Sequence, residues 1–194
     1  MKTEQITVTG NGIGIDKALE ATEKLGNEAG LDKKSALHLR LIAEELFGIL
    51  RGIAGEVEAC CWAQAEGRAF EVCMKSEVKM TDELRERLIA VSTSGKNSAA
   101  LGVMGKIRVM IADMLVSAKE TMPYAMMNTA AAYNAATPYV WTMSEYKTAV
   151  KNDIENSREA WDELEKSVIA NIADDVKVSI LGKNVGITVY KTFK

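Results

Sequence analysis

The chain has 194 residues, of which 47% are hydrophobic and 26% charged, with a formal net charge of −3. These values suit one globular domain with a substantial core and exclude a disordered chain. Mild acidity and scattered lysines and arginines argue against a nucleic-acid partner, and no apolar run approaches the roughly 20 residues that span a bilayer. One histidine and three cysteines are poor material for a zinc centre. Cys60 and Cys61 are adjacent and point to opposite faces of a strand, so all three cysteines are expected to be reduced, buried and structural.

The N-terminus, MKTEQITVTG, is polar and alternating, unlike a signal or transit peptide, which points to the cytoplasm. Residues 5–9 alternate as a strand and run into the turn Gly10–Asn11–Gly12. Asp16 is placed to cap a helix reaching about Glu28, with Ala18, Ala21, Leu25 and Ala29 on its apolar side. Residues 37–53 form a second helix. Its row of Leu39, Ile42, Leu46, Leu50 and Ile53 makes a stripe wide enough to lie on a sheet. Asp32 or Ser35 can cap its start, and Gly52 and Gly55 are plausible stops.

Residues 57–65 and 68–75 are strands joined at Glu66–Gly67. Residues 81–90 predict a short helix, 91–100 a polar loop, and 101–116 an apolar helix opening on Gly102 and Gly105. Residues 117–142 change character, rich in Met, Ala, Tyr and Asn and holding both prolines, Pro123 and Pro138. Residues 144–172 predict one charged amphipathic helix with Tyr146, Val150, Ile154, Trp161, Leu164, Val168 and Ile172 on its apolar face. Residues 176–180 and 185–190 form a second hairpin around Leu181–Gly182–Lys183–Asn184. The shift in composition marks 117–172 as a helical insertion packed on a single-domain core of 1–116 plus 173–194.

The order strand, helix, helix, hairpin, helix, glycine loop, helix, hairpin predicts an α+β fold. Its form is a two-layer α/β sandwich, with a mixed, mainly antiparallel sheet and helices on one face. Helical spacing sets Glu44, Gly48 and Arg51 along one edge of the second helix. They either face one ligand or form a row of solvated charges. This order and this row resemble the histidine-kinase-like ATPase (GHKL) superfamily, in its anti-sigma-factor serine kinase branch. In that family the helix carries a Glu that polarises the attacking hydroxyl or water, an Asn four residues on that coordinates magnesium, and a basic residue three further.

Glu44 and Arg51 match that pattern, and Gly48 stands where the Asn is expected. The family's adenine-reading Asp-x-Gly aligns with Ser76 and Val78, so that motif is absent. Gly95, Lys96 and Asn97, with Gly102, Gly105 and Lys106, keep the outline of its phosphate-binding loop. The resemblance implies ATP or ADP as the ligand. Glycine offers magnesium no side-chain oxygen, and phosphoryl transfer rests on charge stabilisation. The expected function is therefore a degenerate regulator that acts by binding a protein, a sigma factor or an anti-anti-sigma-like partner, with weak or no nucleotide binding. The alternative is an active ATP-dependent serine kinase or ATPase, with Glu44 as base helper and Lys96 or Lys106 on the phosphates.

Other features admit two readings. Residues 92–106 are an anion cradle or a loop before an ordinary helix start. His38 sits among leucines, where a boundary histidine is commoner than a catalytic one. Met122, Met126, Met127 and Met143, with Tyr124, Tyr133, Tyr139 and Trp141, either fill gaps over the sheet or form an adaptable binding surface. An apolar face left over on the charged helix would serve a partner or a homodimer. A purely structural dimerisation domain is a further reading.

Overall fold

The computed structural model describes residues 1–52, 57–78, 138–152 and 158–194, together with Gly105, Ile107 and Ile111. Alternating apolar residues make the strands, as the pattern predicts. In chain order the elements are β1 (Ile6–Thr9), α1 (Ile15–Glu28), α2 (Lys33–Gly52), β2 (Glu58–Glu66), β3 (Ala69–Glu77) and β4 (Tyr139–Thr142). There follow α3 (Met143–Asn152), α4 (Arg158–Lys166), α5 (Val168–Ile172), β5 (Asp175–Leu181) and β6 (Asn184–Thr192).

The six strands form one open sheet in the order β1-β2-β3-β6-β5-β4. Every pairing among the described residues is antiparallel, which corrects the expected mixed sheet. Two hairpins, β2–β3 and β5–β6, lie side by side, and the helical connections return the chain to each edge in the opposite sense. The fold is α+β, with five helices among the described residues, and is compatible with a two-layer sandwich. No helix among the described residues is long and apolar enough to cross a membrane.

Register divides the sheet cleanly into two faces. Ile6, Cys61, Met74, Ile187, Val178 and Trp141 are directly paired across all six strands. All but the half-buried Trp141 are buried. On this face α2 lies over β3 and β6, α1 over β1 and β2, and α3 beside β4 and β5. Leu39, Ile42, Ala43, Leu46, Ile49 and Leu50 of α2 are at most 1% exposed. Ile107 and Ile111 are helical and join the same core.

Several local expectations are corrected. Asp32, and not Ser35, caps α2: its carboxylate accepts from the Lys34 and Ser35 amides at 2.9 and 3.0 Å and from the Ser35 hydroxyl at 2.8 Å. Those bonds hold its carboxyl below the usual range and start the helix at Lys33, ahead of the predicted 37. Asp16 does not cap α1. It lies in the first turn, where its charge suits the positive helix end, and the cap is Gly14.

The single helix predicted over 144–172 is divided. Ser167 is extended and caps α5, accepting a bond from the Ala170 amide at 3.3 Å. This break resets the helical phase, so Ile169 is buried while Val168, predicted on the apolar face, is 40% exposed. Residues 139–142, predicted as part of a helical insertion, form an edge strand of the main sheet. The predicted helix over 81–90 and loop over 91–100 lie outside the described residues, as does the predicted helix over 101–116 apart from Gly105, Ile107 and Ile111.

Gly14 has φ 82, and a Cβ there would stand far inside van der Waals contact with the Thr7 carbonyl oxygen. Gly14→Ala combines left-handed backbone strain with a backbone clash and should cost about 2–4 kcal/mol, measured by urea unfolding. Burial tends to raise the Asp174 carboxyl, but the Thr192 amide at 2.6 Å and Lys191 at 3.0 Å outweigh it and hold it below the usual range. A lowered folded value stabilises above the unfolded value of about 4 and loses that contribution as pH falls through the folded value. The side chain is 46% exposed, so solvent screening limits the loss in Asp174→Asn to about 1 kcal/mol at pH 7. Melting across the pH range should show the gap between the two proteins closing in acid.

Candidate functional site

Among the described residues two places gather chemistry-bearing residues: the solvent edge of α2 and the face of the sheet that no described helix covers, the uncovered face. On α2, Leu39, Ile42 and Leu46 anchor the inner face and so turn Glu44 outward, where it is exposed. Gly48, one turn on, is half-buried, and a Cβ built on it meets nothing within 4 Å among the described residues. Arg51 follows in the last turn, where only its backbone is described. Helical geometry thus sets these three along one edge, as the spacing predicts.

Ser76 lies near the end of β3, half-buried, paired with Ala59 and Val185. Its hydroxyl donates to the Glu58 carbonyl at 2.7 Å, a bond that ties β3 to β2. Gly105 is helical and buried. Gly95, Lys96, Asn97, Gly102 and Lys106 lie outside the described residues. His38 is half-buried on α2. Met143 is completely buried in the core, the gap-filling reading for that one methionine, while Met122, Met126 and Met127 lie outside the described residues.

The cysteines divide between the two faces. Cys61 points into the core, and burial, followed by the neighbouring Cys60 and Cys73, pushes its thiol well above the ordinary range. Cys73 is buried on the opposite face and is raised for the same leading reason, burial. Cys60 is only half-buried, which corrects the expectation of three buried thiols, and donates to Gln5 Oε1 at 3.4 Å. A thiol held protonated is a poor nucleophile.

The uncovered face was not legible as a site. Thr7, Cys60, Lys75, Gly186, Ser179 and Val140 are directly paired across all six strands on this face. Gly186 carries no side chain, and a trough of about 670 Å³ opens above the part of this row from Thr7 to Ser179, lined also by Glu58, Glu77, Leu181 and Pro138. A Cβ on Gly186 would stand 2.8 Å from Ser179 Oγ, so the glycine makes the floor. One row away, the Trp62 ring is flanked by Lys2 and Lys75, at 5.2 and 5.6 Å from its centre. The trough offers hydroxyls, one ammonium and two carboxylates, a mixed polar surface suited to recognition. Among the described residues no cluster of three or more His, Cys, Asp or Glu side chains is placed to hold a metal. The alternation E-A-C-C-W-A-Q-A-E in β2 was the available signal, because it puts Trp62 on the solvent face.

Compared with known proteins, the chain matches no protein-family model, no curated protein and no solved structure.

Helical glycine costs stability, and Gly48 has room for a methyl group. Gly48→Ala should therefore stabilise the fold by up to about 1 kcal/mol. Equal or lower stability in urea unfolding would mean that something occupies the space beside residue 48.

Proposed function

We propose that the protein is a degenerate regulator of the histidine-kinase-like ATPase (GHKL) type that acts by binding another protein. In this reading its fold is a variant of that superfamily's sandwich and nucleotide binds weakly or not at all. The observation that carries the reading is Gly48: one turn beyond the exposed Glu44, the helix edge has no side-chain oxygen where a metal-coordinating one would have to stand. Ser76, aligned with the family's adenine-reading Asp, spends its hydroxyl on the Glu58 carbonyl. These residues do not fit a magnesium–nucleotide complex, and no catalytic step is assigned to Glu44. The element order from β1 through the β2–β3 hairpin, with α2 over the sheet, supports the family comparison. The partner class that the resemblance implies is a sigma factor or an anti-anti-sigma-like protein.

A melting scan with millimolar Mg–ATP and Mg–ADP tests this. A ligand at 100 times its dissociation constant adds about 2.7 kcal/mol, which is roughly 5–10 °C for a chain of this size. The expected shift is below about 1 °C. A shift of several degrees, with magnesium-dependent hydrolysis abolished in Glu44→Ala, would establish the active kinase or ATPase instead.

A further inference from the structure

We draw no further inference here: the strongest candidate, the trough above Cys60, Lys75 and Gly186 on the uncovered face of the sheet, carries nothing because that face is free of a covering element only among the described residues and nothing in the structure shows what occupies it.

Discussion

The burial of α2 against one face of the sheet is the constraint on which the other features rest. Its inner residues, Leu39 through Leu50, are nearly inaccessible to water and meet the central strands β3 and β6. Removing a leucine or isoleucine from such a position typically costs 2–5 kcal/mol, a large share of the stability of a domain this size. Because that contact fixes the rotation of the helix, it also fixes which residues are left facing outward. Glu44 is exposed and Gly48 half-buried as a consequence. The edge where function was sought is thus a by-product of core packing.

The same contact explains why the sheet has two unlike faces. One face is apolar apart from Ser76 and Lys191 at its margins and supports the helices. The other carries threonine, lysine, glutamate, serine and a tryptophan held between two lysines. A face of that kind can remain wet, as is common for antiparallel sheets. Its glycine at position 186 leaves a depression that a side chain would fill. The regulator reading and this face are physically consistent, since protein recognition needs an accessible, chemically mixed surface more than it needs a metal site.

The helical part between β4 and β5 is secured by polar contacts as well as packing. Asp175 accepts from the Ser144 amide at 2.9 Å and from the Ser144 hydroxyl at 3.0 Å, which ties the start of α3 to β5. Lys147 donates to the Ala170 carbonyl at 2.7 Å and so joins α3 to α5. Burial lowers the pKa of that ammonium, with Asp175 acting in the opposite direction. β4 therefore lies next to a helix already fastened to the sheet, and its four residues are held in register without a long strand of their own.

Periodicity alone determined the elements that bury a full face. The alternation of β2, β3, β5 and β6 and the wide stripe of α2 were legible because each encodes its own burial. Glu44, Gly48 and Arg51 shared an edge for the same reason, since helical spacing is local. What was not local could not be read. The division at Ser167 depends on a capping bond to Ala170 and on Ile169 finding the core, and the amphipathic pattern runs through it undisturbed. β4 is four residues long in a methionine- and alanine-rich context, and only pairing with β5 makes it a strand. Strand order, the antiparallel sense of every described pairing, and the row from Thr7 to Ser179 that floors the trough arise from pairing between distant residues. Tertiary structure decided these, because a strand's own sequence specifies which side of it is buried but not which strand lies beside it.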